Sequence, residues 1–307
     1  MNKHFDVIVG IPRSGLMVAC IIALYLNKPV TDLDSFLDGK ILEYGSTKST
    51  DGFVSSYSEI KRVLIVDDST FSGNSITLAK KKVLNSQYSG ECVFFAAYVT
   101  DTSKDNVDLY FSCINKRIFE WNYLQSYQLK YFCCDIDGVL CVDPKDEEND
   151  DGEAYVAFLR NAMPKLIPSA KVGYLVTCRL EKYRQYTEEW LQKHGVSYGK
   201  LIMLNLETAE QRRQLNNHSE FKAQTYKSLS DCSFFIESSP IQARKINYLS
   251  GKPVFCIENS IVYSESKMKA NPSCSESDPT KQKILRITHK GFLKKICHQF
   301  KKRINYK

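Results

Sequence analysis

The sequence lacks any uninterrupted apolar run of 18 residues, and its most apolar stretch, residues 16–26, is too short to span a bilayer. That stretch follows a strand pattern rather than a basic leader, so a buried helix is expected there and no signal peptide is read. Internal repeats are missing, which excludes solenoids and propellers. Glycine (14) and proline (9) are few among 307 residues, and 43% of the chain is apolar, so collagen-like and disordered chains are excluded and a folded α/β protein is expected. The eleven cysteines are an odd number without C-x-x-C spacing, which argues against a disulfide framework or a zinc site. Several, including Cys20, Cys133 and Cys134, fall in core-like segments and read as reduced thiols of a cytoplasmic protein.

Acids are absent from the last part of the chain. From Pro279 onward there are ten Lys or Arg and no Asp or Glu, so of the net +7 the first 278 residues carry 7 − 10 = −3. In "KILRITHKGFLKKICHQFKKRI" the residues Leu285, Phe292, Leu293, Ile296, Phe300 and Ile304 fall mostly on one helical face. That pattern fits an interfacial helix on anionic lipid, and equally a terminal helix packed on its own domain. A nucleic-acid partner is not expected, because no base-reading module accompanies the basic run. The preceding "SESKMKANPSCSESDPTKQ" is polar with two prolines and reads as a linker.

What is present is chemistry at the ends of strands. "VLIV" (63–66) is short, continuous and β-branched, as a strand covered on both faces would be. It runs into "DDSTFSGNS" (67–75) and then into "ITLAKKKVLN", with apolar residues at helical spacing. In a strand–loop–helix unit the loop amides and the helix N-terminus form an anion cradle. Two acids beside an anion site suit a ligand with both phosphate and hydroxyls, such as a ribose 5-phosphate. Asp67 and Asp68 would accept from the 2- and 3-hydroxyls, while the amides of Ser69, Thr70, Phe71, Ser72, Gly73, Asn74 and Ser75 hold the 5-phosphate. The string "VLIVDDSTFSGNS" resembles the signature of type I phosphoribosyltransferases, with Ser72, Asn74 and Ser75 standing where Thr, Gly and Thr are common. Within "FDVIVGIPRSGLMVACIIALYL" (5–26), "GIPRSGL" looks like the pyrophosphate loop of that family, with Arg13 as charge partner, Ser14 in the loop, and Gly10 and Gly15 allowing close backbone approach. Between the two, residues 39–61 are polar and rich in Ser and Thr, as a mobile lid would be, and Lys40, Lys48 and Lys61 are open candidates for reaching pyrophosphate. The resemblance implies phosphoribosyl pyrophosphate (PRPP) as donor and Mg2+ bridging its pyrophosphate and ribose hydroxyls.

A second strand, in "YFCCDIDGVLC" (131–141), ends in Asp135 and Asp137, two apart and so able to face one side. One would bind metal and attack phosphorus, the other handle the leaving-group proton. The string resembles the first motif of haloacid dehalogenase (HAD)-like phosphatases, with Asp135 as nucleophile and Asp137 as general acid and base. The resemblance extends to Thr177 in "KVGYLVTCR", which would hold the phosphoryl group, and to Lys222, with Lys227 as a rival, which would neutralise the aspartyl phosphate. Glu237 in "SFFIESSP" completes a metal set of Asp135, Asp137 and Glu237, although that family usually places an Asp pair there. The gaps between these motifs leave no room for a large cap domain, which suits a bulky substrate.

The expected organisation is therefore two Rossmann-like α/β domains with mainly parallel sheets: a phosphoribosyltransferase domain over 1–128 and a capless or minimally capped phosphatase over 129–263. A linker and basic amphipathic tail follow over 264–307. Phe119 and Trp121 read either as walls of an acceptor pocket or as plain core aromatics. The pairing resembles the phosphoribosyltransferases and phosphoribosyl phosphatases of bacterial surface-polysaccharide assembly. It implies transfer to a hydroxyl of a lipid-linked glycan with inversion to a β linkage, then removal of the 5-phosphate. That places the protein in the cytoplasm, with the tail as a peripheral contact to the inner face of the membrane. Nucleobase salvage with nucleotidase activity, or a nucleotide-sensing regulator joined to an active phosphatase, are the rival expectations.

Overall fold

The computed structural model describes residues 5–42, 46–47, 49–51, 53–54, 56–115, 117–119, 121–215, 217–264 and 286–287. Two compact units divide the chain between Arg117 and Ile118. The sequence suggested a division after residue 128; Ile118 and Leu129 instead join Phe132 and Leu175 in one buried cluster, so the intervening residues pack with the second unit. The tail expected as a basic helix lies outside the described residues, apart from Arg286–Ile287, a two-residue strand. Of the expected lid, Lys48 and positions 43–45, 52 and 55 also lie outside them. No helix among the described residues is long and apolar enough to cross a membrane.

The first unit is a five-stranded parallel sheet in the order β2-β1-β3-β4-β5. Its elements are β1 (Val7–Gly10), α1 (Ser14–Leu26), β2 (Val30–Asp32), α2 (Leu33–Leu37), β3 (Arg62–Ser69), α3 (Asn74–Leu84), β4 (Glu91–Val99) and β5 (Leu109–Cys113). In β1 every residue is buried, and in β3 burial runs unbroken from Val63 to Asp68, as covering both sheet faces requires. Helix α1 buries Gly15, Val18, Ala19, Ile22 and Ala23, the i, i+3, i+4, i+7, i+8 stripe of a helix laid on a sheet. Strand β3 extends past the apolar run to include Asp67 and Asp68, which carries both carboxylates into the buried end of the sheet.

The second unit opens with a two-residue strand β6 (Ile118–Phe119) and holds a six-stranded sheet in the order β12-β11-β10-β7-β8-β9. These strands are β7 (Phe132–Cys134), β8 (Val172–Leu180), β9 (Tyr198–Leu204), β10 (Phe234–Glu237), β11 (Val254–Cys256) and β12 (Ile261–Tyr263), parallel except for the antiparallel edge strand β12. Helices α4 (Glu153–Asn161), α5 (Arg184–Lys193), α6 (Ala209–Leu215), α7 (His218–Ser228) and α8 (Pro240–Ser250) connect them. The expected short insertions are observed: the acidic segment after Asp137 holds one 3-10 turn (Asp146–Glu148), and among the described residues nothing between Thr177 and Lys222 forms a separate cap.

Candidate functional site

In each sheet the site residues lie where the strand order reverses. In the first, β1 leads outward to β2 while β3 leads the other way to β4, so the C-terminal ends of β1 and β3 flank a crevice. In the second, β7 leads to β8 and β10 leads to β11, which puts the crevice between β7 and β10. Such reversals are where open α/β sheets bind ligands, because the following loops diverge and leave a gap.

At the first crevice Gly15 rests directly on β3. A Cβ at this position would stand 2.6 Å from the Val66 carbonyl oxygen and 3.0 Å from the Asp67 Cα, so no larger residue lets the 10–15 loop lie this close to the acids. Asp67 and Asp68 are 6% and 7% exposed. The Asp68 amide donates to Asp67 Oδ1 at 2.9 Å. Burial, followed by the adjacent Asp68 charge, pushes the Asp67 carboxyl up to about 8, and burial raises Asp68 as well. The charge of Arg117 lowers both but is outweighed; its guanidinium donates to the carbonyls of Ile114 (3.0 Å) and Thr70 (3.1 Å).

The loop after β3 is held from behind. The Thr70 amide donates to the Tyr98 carbonyl (2.9 Å), Ser103 Oγ donates to the Thr70 carbonyl (2.9 Å), and Thr100 Oγ1 donates to that of Phe71 (3.2 Å). Carbonyls are thereby engaged on the protein side. Helix α3 starts after Gly73, which offers no side-chain cap, and the Asn74 amide reaches Ser72 Oγ only at 3.5 Å. First-turn amides and the positive end of the helix dipole are left for an anion. Phe71, Ser72, Asn74 and Ser75 are exposed, Ser69 and Ser14 half-buried, and Arg13 exposed beside the loop; the Pro12–Arg13 peptide is cis. Two buried carboxylates in excess of positive charge suit a divalent cation brought with a phosphorylated ligand.

At the second crevice Asp135 follows β7, and Glu237 ends β10 one step past the Ile236–Cys134 pairing, so the two acids stand opposite each other. Lys222, on the buried face of α7 and 3% exposed, donates to Asp135 Oδ2 (2.6 Å), Glu237 Oε2 (2.7 Å) and Gln242 Oε1 (3.0 Å). Its rival Lys227 is exposed on the last turn of the same helix. The other oxygen of each acid is fixed by backbone: Asp135 Oδ1 accepts from Ile136 (2.8 Å), and Glu237 Oε1 from Ser238 (2.9 Å) and Ser239 (3.1 Å). Burial pushes the Asp135 carboxyl up to about 7 against the pull of Lys222, with Glu237 and Asp137 adding to the rise. Burial opposes the Lys222 charge, but Asp135 and Glu237 more than reverse this and hold it protonated. Gly138, at φ 74°, turns the chain away immediately after Asp137, and a Cβ there would meet Ser238 Oγ at 2.3 Å.

Asp137 is bound differently from expectation. Arg179, fully buried, grips it in a fork: Nη2 to Oδ1 at 2.6 Å and Nε to Oδ2 at 3.0 Å. Among the described residues no three His, Cys, Asp or Glu side chains group as a metal site. Of the expected metal set of Asp135, Asp137 and Glu237, Asp137 is paired with Arg179, and Glu237 with Lys222 and two amides. Thr177 is buried (1% exposed), and its Oγ1 accepts from the Arg179 amide at 3.2 Å. Arg179, Gln242 and Arg117 were not singled out from sequence. Arg179 carried a signal, since it lies two residues after Thr177 on one strand and so faces the same side; Gln242 and Arg117 carried none. Phe119 and Trp121 pack against each other, with ring centroids 4.9 Å apart.

Residues 1–125 match the family model for the phosphoribosyl transferase domain. A comparison with curated proteins finds no match. Among solved structures the chain is similar to the Helicobacter pylori xanthine-guanine-hypoxanthine phosphoribosyltransferase, at 16% identity and TM-score 0.26, covering 36% of this chain and 68% of that one. It is similar to a purine phosphoribosyltransferase from Pyrococcus horikoshii Ot3 at 23% identity and TM-score 0.25, covering 38% and 78%. It is also similar to a chain of the Pnkp1/Rnl/Hen1 complex at 14% identity and TM-score 0.26, covering 84% and 98%. The first unit thus carries a phosphoribosyltransferase domain within a mixed α/β chain of mainly parallel sheets.

Proposed function

We propose that this chain adds ribofuranose to a glycan in two steps, phosphoribosyl transfer from PRPP followed by hydrolysis of the 5-phosphate by a HAD-like second unit. The observation that carries the reading is that one chain places two acid-bearing sites at the reversal points of two parallel sheets, one facing uncapped helix amides and one built on an aspartate–lysine–glutamate bridge.

In the first step the acceptor hydroxyl oxygen bonds to ribose carbon 1 as the bond from that carbon to pyrophosphate breaks; pyrophosphate leaves with the electron pair and the hydroxyl proton is released to solvent. Asp67 and Asp68 hold the 2- and 3-hydroxyls, the Ser69–Ser75 amides hold the 5-phosphate, and Arg13, Ser14 and Gly15 line the pyrophosphate end. Mg2+, when bound, neutralises pyrophosphate, and Asp67 and Asp68 are the residues of this chain that would face it. Inversion at carbon 1 makes the linkage β.

In the second step Asp135 attacks phosphorus and the bond to the ribose 5-oxygen breaks, with that oxygen taking a proton from Asp137. Water then attacks the aspartyl phosphate, gives its proton back to Asp137, and releases phosphate. Lys222 offsets charge on Asp135, Thr177 holds the phosphoryl group, and Arg179 keeps Asp137 oriented. A site without a cap suits a glycan better than a small metabolite.

The test is to incubate the protein with PRPP, Mg2+ and a panel of sugar and nucleobase acceptors, and to weigh the products. Asp135→Asn should accumulate a product one phosphate heavier than wild type. Equal masses would remove the two-step scheme, and labelling of nucleobases alone would move the acceptor to salvage.

A further inference from the structure

Beside the phosphatase crevice lies a cavity of about 350 Å³ that no step above uses. Its lining includes Tyr123, Lys165, Phe255, Ile257, Glu258 and Ser260, all within the second unit. It is bonded to both loops of the crevice. Lys165 Nζ donates to the carbonyl of Gly138, the residue after Asp137, at 2.8 Å, and the Ile257 amide donates to the carbonyl of Glu237 at 2.9 Å. Asp143 stands between the two regions: burial and the Asp137 charge raise its carboxyl while the Lys165 charge lowers it. These two bonds tie the cavity wall to the loop after Asp137 and to the end of β10.

The lining suits one chemistry. Tyr123 and Phe255 meet edge to face, with centroids 5.1 Å apart and planes at 72°. Phe255 is 4% exposed and backs Tyr123 from the core, so the cavity presents one aromatic ring rather than the parallel slot in which a planar base stacks, and a single ring face takes the C–H face of a puckered ring. Around it the Lys165 ammonium, Glu258 carboxylate and Ser260 hydroxyl offer both donors and acceptors to ring hydroxyls. The volume falls at the lower end of ordinary small-ligand sites, roughly 300–1,000 Å³, enough for one hexose.

We infer that this cavity seats the pyranose ring to which the phosphoribosyl group has been attached, and so makes the hydrolysis selective for the glycan-linked ester. The inference rests on the two-step reading above, and its test separates the two. The substrates are methyl 5-phospho-β-D-ribofuranoside and 5-phospho-β-D-ribofuranosyl disaccharides of galactose, glucose, mannose and N-acetylglucosamine, with adenosine 5′-monophosphate as the base-bearing control. For the full chain, kcat/KM on the best disaccharide should exceed that on the methyl ester by about tenfold or more, the scale of one well-made ring contact. Tyr123→Ala should erase most of that ratio through KM while leaving the methyl ester unaffected, and Tyr123→Phe should retain it. Glu258→Gln, at an exposed position where folding is not at risk, should lower the ratio about threefold to tenfold, the loss of one hydrogen bond to a charged group.

Equal rates on the methyl ester and every disaccharide, or variants that slow all substrates alike, would overturn the sugar site while leaving the phosphatase standing. A Tyr123-dependent preference for the nucleotide would overturn the sugar assignment. Failure of wild type on every ester would remove the phosphatase reading and the cavity's role with it.

Discussion

The two crevices differ in where their counter-charge comes from. In the first unit Asp67 and Asp68 lie side by side on one strand, and burial with the Asp68 charge drives Asp67 to about 8 against the Asp68 amide and the charge of Arg117. In the second, each acid is met by a cation already in place, Lys222 between Asp135 and Glu237 and Arg179 on Asp137. A site that must receive a cation with its ligand is built with excess negative charge. Under the proposed function, the second site would neutralise a phosphate held on its own carboxylate with the cation it already carries.

The largest effect should come from removing the built-in cation. Lys222→Met leaves Asp135 and Glu237 buried without their ammonium, and the second unit should lose about 3–5 kcal/mol in denaturant unfolding. Phosphate release should fall by roughly 10³-fold or more. Transfer by the first unit should persist, and unimpaired hydrolysis would break the contrast between the sites.

Next in size is the pH dependence of the ligand-free first unit. The folded pKa of Asp67, about 8, lies above the unfolded value near 4, so between these limits the folded state holds the extra proton. Its contribution to stability is therefore full below about pH 4 and is lost as pH rises toward 8. Urea unfolding across this range should show that slope, Asp67→Asn should flatten it, and saturating Mg2+ with PRPP should reverse it. A wild-type slope identical to that of the variant would contradict the excess-charge reading.

Arg179→Lys keeps the charge but not the fork. Hydrolysis should lose about 100-fold in kcat with KM little changed, as expected when a proton-transfer group is mispositioned. Activity at the wild-type level would mean that orientation of Asp137 is not what Arg179 supplies.

The smallest effect is steric. Gly15→Ala drives a methyl into the Val66 carbonyl, and the first unit should lose about 1–3 kcal/mol, with weaker PRPP binding by calorimetry and no change in hydrolysis of preformed ester. A neutral substitution would show that the 10–15 loop can draw back from β3 at no cost.

Much of this was legible locally. The apolar runs before Asp67 and Asp135 marked buried parallel strands, and β3 and β7 lie centrally in their sheets. The choice of Lys222 over Lys227 was less so, since both lie on α7 and only packing shows which face is buried. Where residues 118–129 pack was not legible, because they carry no glycine or proline to mark a junction, and their allegiance is decided by where Ile118 and Leu129 find apolar neighbours.

The amino-acid order by itself determined the periodicities that make strand, loop and helix, and the acids that end the strands, because these depend on neighbours a few positions apart. Only the tertiary structure decided which charges meet. Arg179 lies 42 residues from Asp137, and Lys222 lies 87 from Asp135. Such pairs form when parallel strands bring distant segments to one sheet edge, and burial there makes an unanswered carboxylate costly.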